Sequence, residues 1–163
     1  MFPFSLPENM KIVTLYGGPS NGSVTTMSDY ISLKNANKVW IVGYYYGTTG
    51  TTFPVTMYEA TAVAGTGSAI ITATWPIWTC CSTTVLDTLT RGTDAASLTI
   101  DPDGGAGASP MLFIFEWDPQ KFSAGFDCLA VKGATGNAAD NVTILAFIAE
   151  RYASASPPSA IVD

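Results

Sequence analysis

Short apolar runs alternate along this chain with clusters of Gly, Pro, Asn and Ser, and the runs have the two-residue period of strands. Lys11–Tyr16 is an early β-prone run, stopped by Gly17-Gly18-Pro19-Ser20-Asn21-Gly22. Tyr30–Leu33 alternates, and Asn35-Ala36-Asn37 turns the chain into Lys38–Tyr46. That run, Lys-Val-Trp-Ile-Val-Gly-Tyr-Tyr-Tyr, is almost continuously apolar, as a central strand should be. Val55–Ala62 alternates again, and Gly65-Thr66-Gly67 marks a tight turn before Ala69–Thr74. Val85–Thr90 and Ser97–Ile100 follow, the second ending at the breaker Asp101-Pro102-Asp103-Gly104-Gly105. Met111–Trp117 and Phe126–Lys132 are strong strand candidates, with Asp118-Pro119 closing the first. Helical periodicity can be claimed only for Val142–Tyr152, and β-branching at its start assigns Asn141–Tyr152 to a strand.

Eight or nine strands at intervals of roughly 8–15 residues predict an all-β fold, an antiparallel β-sandwich of jelly-roll type. Residues 1–10, interrupted by Pro3 and Pro7, read as an N-terminal arm. Residues 154–163, with Pro157-Pro158, read as an extended C-terminal arm, because proline cannot continue a sheet. The sandwich is expected between them, over residues 11–153. An arm of this kind is either disordered or pinned by a neighbouring subunit.

Composition narrows the chemistry. The 163 residues include no histidine, seven Lys or Arg and thirteen Asp or Glu, for a net charge of −6. Histidine is the side chain whose ordinary pKa lies nearest neutrality, so its absence removes the commonest general base and metal ligand. The scattered cations form no basic stripe, which argues against nucleic acid as a partner. At 12% charged and 47% hydrophobic, the chain carries about half the charge of an average soluble domain, and part of its uncharged surface is expected to be covered by a partner. No window approaches the ~20 apolar residues of a membrane helix, so no membrane contact is expected. Met1–Met10 lacks the basic start of a signal peptide. Cys80, Cys81 and Cys128 are odd in number, two of them adjacent, and read as buried thiols of a protein made in a reducing cytoplasm.

The candidate sites are few. Asp101-Pro102-Asp103-Gly104 matches the opening of a calcium loop, but the twelfth position, where a bidentate Glu belongs, is Leu112. A turn stabilised by the Asp side chains is the simpler reading. Glu116 and Asp118, two apart, would share a strand face and could act as a hydrolytic carboxylate pair if the strand persisted. Asp118 precedes Pro119 and is better placed as a turn residue. The cysteines provide at most three thiolates and no histidine to complete a zinc site, and serine nucleophiles lack a base. The glycine clusters at Gly47–Gly50 and Gly104–Gly107 lack the lysine of a phosphate loop. Neither a cofactor nor a catalytic residue is expected. The aromatics remain: Trp75 and Trp78 flank Pro76-Ile77, and in the Tyr44-Tyr45-Tyr46 run the first and third face one side and Tyr45 the other. Core packing accounts for most of them, and contact with a subunit or partner for the rest.

From Asp29 onward the order of segments is familiar. Asp29-Tyr30-Ile31-Ser32-Leu33-Lys34-Asn35 leads to Lys38-Val39-Trp40-Ile41-Val42, then Val55-Thr56-Met57-Tyr58-Glu59-Ala60-Thr61, Gly65-Thr66-Gly67 and Pro76-Ile77-Trp78. Asp87-Thr88-Leu89-Thr90-Arg91 follows, and the chain closes on Glu150-Arg151-Tyr152 and Pro157-Pro158-Ser159-Ala160-Ile161. This succession resembles the small head decoration, or cement, proteins of tailed bacteriophages, over most of the chain from Asp29 to Ile161. The resemblance implies a non-enzymatic β-rich module on the outer surface of the virion head, made in the bacterial host cytoplasm. It further implies the major capsid protein as partner and a homo-oligomer, a trimer above all. It carries over no catalytic residue. Contacts with capsid or neighbouring subunits are then expected at Met1, Phe2, Pro3 and Phe4, at Tyr44, Tyr45 and Tyr46, and at Pro157, Pro158 and Ile161. The rival reading is a carbohydrate-binding sandwich using Trp75 and Trp78, with a glycan hydrolase built on Glu116 as a distant third.

Overall fold

The computed structural model describes residues 6–17, 27–47, 52–81, 88–101, 110–134, 139–151 and 161. After a single helical turn, α1 (Leu6–Asn9), every longer element is a strand. These are β1 (Lys11–Tyr16), β2 (Ile31–Ser32), β3 (Ala36–Tyr46), β4 (Phe53–Ala60), β5 (Ala69–Ile70) and β6 (Ile77–Cys81). They continue as β7 (Thr90–Arg91), β8 (Ser97–Ile100), β9 (Pro110–Trp117), β10 (Cys128–Gly133) and β11 (Asn141–Glu150). A short 3-10 turn, Pro119–Lys121, follows β9.

The strands form two antiparallel sheets, ordered β1-β11-β3-β9-β6-β7 and β2-β10-β4-β5, with β8 paired to β4. β5 and β8 share one edge of β4, pairing with Tyr58–Glu59 and Phe53–Thr56 respectively. Together they occupy one strand position, interrupted by the excursion through β6 and β7. Without that excursion the chain crosses between sheets in the order of a jelly roll: four strands, β1-β11-β3-β9, face four others, β2-β10-β4-β5/β8. The β6–β7 pair widens the larger sheet beyond its usual edge. The all-β jelly-roll expectation holds.

The core lies between the sheets and follows strand parity. Val39, Ile41 and Tyr45 of β3, Phe113, Phe115 and Trp117 of β9, and Val142, Ile144, Ala146 and Ile148 of β11 point inward. They meet Phe53, Val55 and Met57 of β4 and Leu129 and Val131 of β10. Tyr16 spans the layers, its hydroxyl donating to the Val131 carbonyl at 3.1 Å, and burial pushes its phenol pKa up. Trp75, just before β6, stacks on Trp117 with ring centroids 3.8 Å apart.

Several expected boundaries moved. The run at residues 69–74 pairs only at Ala69–Ile70; of the one at 85–90, residues 85–87 lie outside the described set and the strand among the described residues is Thr90–Arg91. β6 was not among the expected strands. Its partner is β9, more than thirty residues away, and that pairing decides its conformation. Leu6–Asn9 of the N-terminal arm is a helical turn rather than extended chain, closed by the Met10 N–H donating to the Leu6 carbonyl at 2.9 Å.

Candidate functional site

A jelly roll covers one face of each sheet with the other sheet, and leaves the outer faces to water or to partners. The outer face of the smaller sheet is partly closed by its own chain. Tyr30, Ala60, Cys128 and Ala130 form a small buried cluster, joined by Met27, Tyr58 and Val63. Gly65, with its positive φ of 78°, lets the turn lie against the Tyr30 ring, whose hydroxyl pairs with Ser68.

The larger sheet is covered at its β6 end, where Cys80 is buried and the Trp78 indole nitrogen enclosed, and stays open over β1, β11, β3 and β9. Its outward positions are read from the registers. One row across the sheet runs Ile12, Phe147, Trp40, Glu116. The next runs Thr14, Leu145, Val42, Ile114, Trp78. A third holds Thr143, Tyr44, Leu112 and Cys80. Directly opposed side chains of neighbouring strands stand ~5 Å apart, so these rows form one continuous surface. Ile12, Tyr44 and Tyr46 are 43%, 43% and 44% exposed, and Trp40, Val42, Ile114, Leu145 and Phe147 are half-buried. A groove of about 230 Å³ crosses the patch, lined by Met10, Trp40, Val42, Ile114 and Phe147. All five are apolar.

Charge on this face is sparse and paired. Lys38 Nζ donates to Glu116 Oε2 at 2.9 Å and lies 5.2 Å from the Trp40 ring centroid. At the β7 rim, Arg91 pairs with Asp94 at 2.7 Å. Such exposed pairs add little stability, ~0–1 kcal/mol each. Their consequence here is that the face carries no net charge in a chain of net charge −6.

The expected contact residues divide between surface and core. Tyr44 and Tyr46 lie on the outer face and Ile161 is exposed. Tyr45 is a correction: it is fully buried, stacked on Phe53 at 5.1 Å, with its hydroxyl donating to the buried carboxylate of Asp140 at 2.7 Å. It offers nothing to a partner. Tyr45→Phe should cost about 1–2 kcal/mol, seen as a lower urea midpoint with an unchanged slope. Trp75 is a second correction, fully buried against Trp117 and Phe115 and unable to stack on a sugar. Trp78 is half-buried and belongs to the outer rows, though its indole nitrogen is enclosed. Met1, Phe2, Pro3, Phe4, Pro157 and Pro158 lie outside the described residues.

The carboxylate pair does not assemble either. β9 ends at Trp117, Glu116 is engaged by Lys38, and Asp118 caps the 3-10 turn by accepting the Gln120 N–H at 3.0 Å. Cys80 and Cys128 are buried thiols on different sheets, and the Cys81 side chain lies outside the described residues. Asp101 is exposed where β8 ends, and Asp103 lies outside the described residues. No group of three or more Cys, Asp or Glu gathers among the described residues, and no helix there is long and apolar enough to cross a membrane.

The sequence signal for the outer face was present. β3, β9 and β11 are apolar at both parities, a pattern that in β3 was read as a central strand. In a two-layer fold the second apolar parity points outward.

No family model and no curated protein matches the chain. Among solved structures it is similar to the crystal structure of the SPBc2 prophage-derived protein YomS, with a TM-score of 0.46 and 10% sequence identity. That alignment covers 85% of this chain and 91% of the other.

Proposed function

We propose that this chain is a non-enzymatic structural protein of a tailed bacteriophage, a decoration protein that binds the outer surface of the head and reinforces the shell. The observation that carries the reading is the continuous apolar outer face of the larger sheet, a surface built for contact rather than for chemistry. The succession of segments from Asp29 to Ile161 supplies the resemblance to head decoration proteins. The major capsid protein is the proposed partner. Homotrimerisation would let modest contacts of each subunit add up, since linked weak sites bind with an avidity far above that of one. A symmetric oligomer also matches the local symmetry of a capsid lattice. The arms, at Met1–Pro7 and Ser154–Asp163, are the proposed capsid contacts.

The carbohydrate-binding reading is weaker. It loses Trp75 to the core, and the outer groove lacks the polar groups that would orient a sugar's hydroxyls.

If the protein cements the shell, heads saturated with it should release DNA at a higher temperature than undecorated heads of the same phage. Removing residues 154–163 should weaken occupancy. Equal release temperatures with and without the protein would contradict the cementing role, and full occupancy by the truncated chain would contradict the role of the C-terminal arm.

A further inference from the structure

We infer that the outer face of the larger sheet is the subunit interface, covered in solution by a second copy of this same chain. The inference deepens the decoration reading by naming which surface makes the oligomer, and it leaves the capsid to other surfaces.

Three observations bear on the occupant. The first is size. Four strands, β1, β11, β3 and β9, at ~4.8 Å spacing, each with two or three outward positions ~6.8 Å apart, span roughly 350 Å². A standard interface buries ~800 Å² on each partner, so the patch would supply its centre and the polar positions around it the rim. The Lys38–Glu116 and Arg91–Asp94 pairs lie where such a rim would be.

The second is charge. Two copies of a chain with net charge −6 repel each other over most approaches. The outer face is where that repulsion is least, because the Lys38–Glu116 and Arg91–Asp94 pairs at its rim are each internally neutral. Burying it against an identical surface leaves no charge without its partner, whereas a strongly charged partner would have to desolvate against apolar side chains.

The third is the contrast between the sheets. The outer face of the smaller sheet is partly closed by the Tyr30–Gly65 contact within the chain. On the larger sheet, Ile12 and Tyr44 stay exposed, and the groove between Trp40 and Phe147 stays open. Either symmetry can use the patch. A two-fold axis sets it against itself, and a three-fold axis sets the Ile12 end of one copy against the Trp78 end of the next.

The test is sedimentation equilibrium of the purified full-length chain over a range of concentrations, without heads. A dimer or trimer that Ile114→Lys and Phe147→Lys each weaken about thirtyfold or more supports the inference, since central interface residues have effects of that size. Because either substitution could perturb folding, Tyr44→Lys is measured alongside them; it replaces an exposed side chain and should weaken association about tenfold with an unchanged far-ultraviolet spectrum. A monomer at all concentrations overturns the inference, as does an oligomer indifferent to all three substitutions. The experiment contains no capsid, so its failure is distinguishable from failure of head binding.

Discussion

Trp117→Ala should lower stability by about 3–5 kcal/mol, the range for removing a large buried aromatic ring. The side chain is fully buried, stacked on Trp75 at 3.8 Å and in edge contact with Phe122 at 5.4 Å. It sits where β9 ends and the chain enters the Pro119–Lys121 turn, so it holds the turn and the Trp75 segment to the same part of the core. A domain of this size is stable by ~5–15 kcal/mol, so the variant gives up a large share of the whole. At ~2–4 °C per kcal/mol for this chain length, the melting temperature should fall by roughly 6–20 °C. Trp117→Phe should cost much less. It keeps a ring in the stack and removes an indole N–H that has no hydrogen-bond partner in the fold. A fall of less than 3 °C for the alanine variant would mean that the stack is not a central element of the core.

Gly43→Val sets two effects against each other, and their magnitudes decide the sign. By strand propensity alone, valine in the middle of β3 should stabilise by up to ~1 kcal/mol. Packing opposes this. A Cβ on Gly43 would collide with Cζ of Phe113, whose ring covers the glycine from the opposite position on β9. Phe113 is fully buried and held edge-on by Phe115, with centroids 5.9 Å apart, so its ring cannot swing aside. Overpacking costs ~1–3 kcal/mol and occasionally more, and three added carbons under a locked ring belong at the upper end. We expect a net loss of about 2 kcal/mol in urea denaturation. Much of it should return in the double variant Gly43→Val/Phe113→Leu, and a double-mutant cycle measures the coupling directly. A stabilised single variant would show that the ring moves freely.

These two sites also show what the sequence could and could not convey. The long apolar runs were legible because β3, β9 and β11 are strands by local composition, and their pairing only confirms it. The Tyr44-Tyr45-Tyr46 run was legible in parity, since alternation alone puts its two outer members on one face and Tyr45 on the other. Which of those faces was the core was not legible, because it depends on where the second sheet lies. Trp75 and β6 were missed for a related reason. Their conformation is set by Trp117 and β9, far along the chain, and no local pattern announces such a partner. The place of Gly43 was not legible either, since only the cross-strand register shows that Phe113 fills the space beside it.

The outer face follows the same logic. Apolar residues at both parities were visible in β3, β9 and β11. The two-sheet fold supplies one cover. Among the described residues nothing supplies the other over β1, β11, β3 and β9, and the proposed assembly would fill that place.

The most direct test of that account is to add the purified protein to expanded, undecorated heads of its parent phage and count bound copies by sedimentation and mass. The account predicts saturation at a fixed number of copies per capsid subunit, which would also constrain the symmetry of the bound oligomer. Absence of binding to heads, or uptake that never saturates, would contradict it.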